Sequence, residues 1–267
     1  MKTILVVLSL FTASTALAAD YSDLYVIPIA GHARGAFGTA WRSDVVLHNL
    51  QLVPIAVEMA LIESGRSAAA EAIPVPFGAE AVLHLAAGET RVLSDVLGPM
   101  NRDVTGALIV GASLPFALTS RTYAERPAGR TLGQTVVPVA ITGGADAVHE
   151  VAILAGLDRN ERQRANVGLF LAASRVPFVA EIELLSASGS PLGSRLIVLD
   201  AEGFAHRQLS VADGVSAMVR ILEGDGVIVP YASVVDNVSA EAMFIPADAT
   251  ASRGAAARAM LSRTVAR

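Results

Sequence analysis

Trp41-Arg-Ser-Asp-Val-Val-Leu-His-Asn49 returns later in the chain as Gln163-Arg-Ala-Asn-Val-Gly-Leu-Phe-Leu171. Arg42 matches Arg164, Val45 matches Val167 and Leu47 matches Leu169. A few residues on, Val53-Pro-Ile-Ala-Val-Glu58 aligns with Val176-Pro-Phe-Val-Ala-Glu181. Each copy closes on a run ending in Pro, at Pro138 and Pro246. Within each copy the apolar runs are short and several alternate. In Val179-Ala-Glu-Ile-Glu-Leu184, Ile182 and Leu184 share one face and Glu181 and Glu183 the other, the period of a half-buried strand. Glu223-Gly-Asp-Gly226 lies between two such runs and predicts a tight hairpin, because Asp-Gly accepts the positive φ angles of the turn. Pro residues at or inside the runs favour strand ends, edges and bulges over helices. The expected fold is therefore all-β: two tandem immunoglobulin-like β-sandwich domains, each of about 100 residues. The first is expected over 20–142 and the second over 147–248, joined by a small polar linker at 142–147 and followed by an Ala/Arg tail, 249–267, disordered or weakly helical.

Composition sets the outer limits. The chain has 267 residues, 53% of them hydrophobic, no Cys and a formal net charge of −5. The hydrophobicity excludes a disordered chain. The missing Cys excludes a disulfide scaffold and Cys-ligated metal. No basic field invites nucleic acid. Residues 1–19 combine Lys2, an apolar stretch and Ala16-Leu17-Ala18, the pattern of a cleaved secretory signal peptide. A periplasmic or secreted protein with no membrane span in its mature chain is expected. Lys2 is the only Lys, so the mature chain can form no lysine Schiff base and has no P-loop lysine.

Ile27-Pro-Ile-Ala-Gly31, the stretch Gly38-Thr-Ala-Trp-Arg-Ser-Asp44 with Leu47 and Asn49, and the ending Tyr231-Ala-Ser-Val-Val-Asp-Asn237 with Phe244-Ile-Pro-Ala247 resemble a group of exported bacterial proteins of unknown function. That group carries a Gly-Thr-x-Trp-Arg-Ser/Thr-Asp signature on tandem β-sandwich units. The resemblance implies the fold and export and supplies no activity. The second copy departs from the signature, with Gln163 in place of Trp41 and Asn166 in place of Asp44.

The candidate binding residues lie in the first copy. Trp41, the only Trp, ends a Gly-rich loop, and Arg42 and Asp44 share a strand face beside it. They form either a recognition patch, as in sugar or peptide binders, or a structural plug with a same-face ion pair. Tyr123, Arg126 and Arg130 mark a long loop, where binding concentrates on rigid sandwiches, although the same loop could cover a sheet edge. His32, His48, His84, His149 and His206 show no metal-ligand spacing and are expected at surfaces or strand ends. Glu181 and Glu183 have the separation of a glycosidase pair, but alternating Glu on a solvated sheet face is the ordinary pattern. No cofactor, metal or catalytic residue is expected. The expected function is a non-catalytic binding or structural protein whose partner is an envelope or extracellular protein or a glycan. A pilus-assembly-type chaperone and a glycan-active hydrolase are the alternatives.

Overall fold

The computed structural model describes residues 21–35, 38–65, 70–125, 131–141, 151–157, 161–211, 216–239, 241–253 and 256–265. The expected signal peptide and linker, together with Arg126 and Arg130, lie outside them.

Nearly every described element is a strand, and the strands form two separate antiparallel sheets, an all-β two-domain sandwich arrangement. The first sheet holds β1 (Ser22–Arg34), β2 (Ala40–His48), β3 (Ile55–Glu63), β4 (Ile73–Pro74), β5 (Leu83–Leu85), β6 (Thr90–Leu93), β7 (Val104–Glu125), β8 (Thr131–Val136) and β9 (Val139–Ala140). The second holds β10 (Val151–Ala155), β11 (Gln163–Leu185), β12 (Pro191–Leu199), β13 (Gly203–Val211), β14 (Ser216–Asp236), β15 (Ala242–Pro246) and β16 (Ala251–Arg253).

Three long strands build the layers. The first half of β7 pairs with β1 and β3, and its second half with β2 and β8. The switch falls around Pro115, whose missing N–H suits a break in the ladder. In the second unit, β11 and β14 run together through both layers. Residues 163–173 of β11 pair with β13 and the second half of β14, and residues 178–185 with β12 and the first half of β14. The expected hairpin at Glu223-Gly-Asp-Gly226 is absent. Residues 216–236 are one strand, and the runs on either side of the Asp-Gly pair both with β11 and not with each other. Gly224, at φ +82°, is the bend that lets β14 follow the irregular stretch of β11 at 173–179. A Cβ there would lie 2.5 Å from the Pro177 carbonyl oxygen, so only glycine fits.

The expected core faces are buried: Val45, Leu47, Val167 and Leu169 are each 0% exposed. They belong to two different clusters, one inside each sandwich. A third cluster lies between the sandwiches. Leu24, Val26, Ile62 and Ile109 from the first unit meet Phe170, Phe204, Val227 and Val229 from the second. The stretches of β1, β3, β7, β11 and β14 that reach the junction (24–27, 60–62, 107–110, 169–172 and 227–229) are therefore apolar on both faces. Their even and odd residues go to different cores, which is why Leu24-Tyr-Val-Ile27 and Val227-Ile-Val229 read as continuous apolar runs.

The tail is ordered at this junction. Residues 251–253 pair with β14, and helix α1 (Ala256–Val265) packs against β3, β7, β11 and β14. Leu261 and Val265, four apart and so on one helical face, enter the third cluster. Val265 stands over Gly111, where a Cβ would lie 2.3 Å from its Cγ2.

With the third cluster coupling the units, the wild-type chain should melt in one transition, and Phe170→Ala should lower its stability by about 3–5 kcal/mol. Calorimetry checks this. Two resolved transitions, only one of which moves with the substitution, would show that the units unfold separately.

Candidate functional site

Trp41, Arg42 and Asp44 sit on β2, directly opposite Ala124, Tyr123 and Arg121 of β7. This register brings Tyr123 into the Trp41 cluster, which sequence spacing alone could not do.

Arg42 and Asp44 do not pair with each other as expected. Asp44 accepts from Arg121 through Nε at 2.9 Å and Nη2 at 2.6 Å, from the Tyr123 hydroxyl at 3.3 Å, and from the Asp95 backbone N–H at 2.9 Å. The Arg121 guanidinium carbon also lies 4.7 Å from the centre of the Tyr123 ring, in cation–π contact. Burial, and then the Asp44 charge, raise the Tyr123 pKa, so the phenol stays a donor.

Arg42 turns instead to Asp95, 3.3 Å from its Nε, with Glu125 farther at 3.9 Å. His32 Nδ1 lies 2.8 Å from the same Asp95 carboxylate. Asp95 is held at φ 47°, a left-handed conformation that costs a non-glycine residue energy. The surroundings hold it there: Asp44 takes its N–H, the Val96 N–H bonds Ser43 O at 2.8 Å, and the Gly98 N–H bonds Asp95 O at 2.7 Å. The polar residues of the signature thus clamp the turn after β6 onto β2. Asp95 carried no sequence signal, because its partners come from β1 and β2, more than 50 residues away.

Trp41 stands apart from this clamp. It belongs to none of the three apolar clusters and is half-buried, so it is not the core plug that the sequence left open. It lines a cleft of about 300 Å³ between the units, together with Thr122 and Gln134 of the first and Arg164, Asn166, Gln208 and Ser233 of the second. Arg164 and Asn166 are the second-copy counterparts of Arg42 and Asp44. The repeat therefore places its own equivalents on the wall opposite Trp41.

A second polar group crosses the junction beneath this cleft. His206 is 1% exposed, contrary to its expected surface or strand-end position. Its Nδ1 lies 2.6 Å from Ser64 Oγ, and its Nε2 is 3.1 Å from Pro28 O and 2.8 Å from the Tyr231 hydroxyl. A carbonyl can only accept, so Nε2 carries the hydrogen and Nδ1 accepts from Ser64. Arg207 Nη1 donates to Gly65 O at 3.0 Å. Desolvation takes the His206 pKa down to about 4. A Ser–His pair is the start of a nucleophilic site, but a base of that pKa is far from the value near 7 that such chemistry wants. The contacts instead tie loop residues 64 and 65 of the first unit to β13 of the second.

Glu181 and Glu183 are both held by Arg220, at 2.6 Å and 3.4 Å. Arg220 lowers the Glu181 pKa, whereas a glycosidase acid needs one raised. Among the described residues, no three His, Asp or Glu side chains converge to hold a metal. No helix among them is long and apolar enough to cross a membrane. No protein-family model and no curated protein matches the chain.

Asp44→Ala orphans the Asp95 N–H and releases Arg121, so it should cost about 2–3 kcal/mol. Arg121→Ala, which removes an exposed guanidinium, should cost about 1 kcal/mol or less. Urea denaturation of the two variants measures both.

His206 sets a pH dependence. Its folded pKa lies below the unfolded value of 6.5, so the unfolded chain binds the extra proton. Its contribution is complete above pH 6.5 and is lost as pH falls through about 4. Between pH 7 and 4, the wild type should lose roughly 3 kcal/mol more than His206→Asn does. Equal losses in parallel denaturation series would show that His206 is not buried neutral.

Proposed function

We propose that the protein is a non-catalytic, extracytoplasmic binding or structural protein made of two immunoglobulin-like sandwiches, acting on another component of the cell envelope or its surroundings. The observation that carries this is the placement of Trp41. Its neighbours Arg42, Asp44 and Tyr123 are committed to internal contacts that stiffen the wall, while Trp41 lines an open cleft between two fused units. A large aromatic held on a rigid wall, outside any core, suits recognition.

Several features weigh against catalysis. The carboxylates with the right spacing, Glu181 and Glu183, both pair with one arginine, Arg220. The Ser64–His206 contact puts the imidazole in a buried position that makes it a poor base. Export rests on the pattern of residues 1–19 and on the resemblance to exported tandem sandwiches, which also favours a periplasmic or secreted location. A pilus-assembly-type chaperone is disfavoured by the absence of Lys from the mature chain, since such chaperones use an Arg and Lys pair between their domains.

The experiment is retention of solubilised envelope components on immobilised mature protein, compared with Trp41→Ala. The variant should keep its stability within about 2 kcal/mol, since the indole is only half-buried, and should lose the retained material. Unchanged retention by Trp41→Ala, or turnover of model glycoside or ester substrates by the wild type, would overturn the proposal.

A further inference from the structure

The junction cleft has an unmet chemical demand. Gln134 on β8 is 8% exposed, and its side-chain oxygen Oε1 has no hydrogen-bond partner. It is the one such buried side-chain atom among the described residues. An unsatisfied buried acceptor costs about 1–3 kcal/mol, and functional sites are where such a group finds its partner in a ligand. The cleft lined by Gln134 is about 300 Å³, at the small end of the range for small-molecule sites.

The lining narrows the ligand class. An acceptor must be met by an O–H or N–H, which a phosphate dianion or a carboxylate cannot offer. The other polar lining residues are Thr105, Thr122, Asn166, Gln208 and Ser233, with Thr105, Arg164 and Gln208 at the exposed rim and no Asp or Glu. Amides and hydroxyls both donate and accept, which matches groups that do the same. Trp41 adds an aromatic edge of the kind that packs against apolar C–H faces. A molecule with hydroxyls around its rim and C–H groups on its faces is a sugar ring. The space holds roughly one or two such rings.

We infer that the junction cleft is a binding site for a sugar unit, a free saccharide or the end of a glycan, whose hydroxyl donates to Gln134 while its ring packs against Trp41. This rests on the proposed binding function and names its ligand class. Both units line the cleft, with Trp41, Thr122 and Gln134 on one side and Arg164, Asn166, Gln208 and Ser233 on the other. A bound sugar therefore bridges them and stabilises the fused arrangement. Gln208 also hydrogen-bonds the Tyr231 hydroxyl, itself 2.8 Å from His206 Nε2, so the cleft connects to the polar tie across the junction.

The single Trp makes the test direct. Full-length mature protein is titrated with a panel of hexoses, N-acetylhexosamines, hexuronic acids and their disaccharides at millimolar concentration, with Trp41 emission and melting temperature recorded together. At least one member should shift both. Gln134→Leu removes the orphaned acceptor and keeps the side chain apolar and similar in size. It should fold with equal or greater stability and bind that sugar about tenfold more weakly. Asn166→Ala, from the opposite wall, should also weaken binding. If no sugar moves Trp41 emission, or if Gln134→Leu binds as well as the wild type, the assignment fails. A parallel panel of short peptides is the control: a Gln134-dependent response to peptides and not to sugars also overturns the sugar assignment. Failure here while envelope material is still retained through Trp41 removes only the sugar assignment. Loss of both removes the binding function itself.

Discussion

The burial of Phe170, Phe204, Val227 and Val229 against Leu24, Val26, Ile62 and Ile109 is the contact on which the rest depends. A β-sandwich ordinarily buries one face of each sheet and solvates the other. Here residues 24–27 of β1, 60–62 of β3 and 107–110 of β7 have no solvated face, and neither do 169–172 of β11 and 227–229 of β14. Neither unit can present this surface to water without a large hydrophobic cost. The relative position of the two sandwiches is thereby fixed, and with it the geometry of everything that lies across the junction: the His206–Ser64 contact, the Arg207–Gly65 contact and the cleft beside Trp41.

Much of this was legible in the sequence. The alternation in 179–184 and the repeated Val-x-Leu of the two copies located strands and core faces, because a period of two maps directly onto the sides of a sheet. The unbroken apolar runs at 24–27 and 227–229 supply the third cluster, which the sequence reading did not separate from the two sandwich cores. Alternation cannot show which of two neighbours such residues meet. The hairpin expected at 223–226 failed for a related reason. Gly224 and Gly226 signal a positive φ or a close approach, and a layer-crossing bend needs these as much as a turn does.

The candidate site divides in the same way. Trp41, Arg42, Asp44 and Tyr123 could be singled out because three lie within one motif and the fourth beside what the sequence read as a long loop, where β7 instead pairs with β8 from Thr131 onward. Their partnerships could not, since Asp44 finds Arg121 through the β2–β7 register and Arg42 finds Asp95 through a strained turn. Gln134, Gln208 and Ser233 had no local signal, being single polar residues in strands where solvent exposure is the default. Gly168 was visible only as a gap in the repeat, opposite Val46. The structure explains it: a Cβ there would sit 1.9 Å from the Tyr231 ring, so the second copy gave up a side chain to seat the tyrosine that meets His206.

Helix α1 has a consequence for the order in which the molecule can be completed. Its Val265 lies over Gly111, and its Leu261 fills the cluster that the first unit begins at Leu24. The outward face of β1 is therefore covered only once the second unit and α1 are both in place. Through that interval the first sandwich carries an exposed apolar sheet, the type of surface that chaperones hold and that aggregates when they do not. The fold thus makes completion of the first unit conditional on the second unit and on α1.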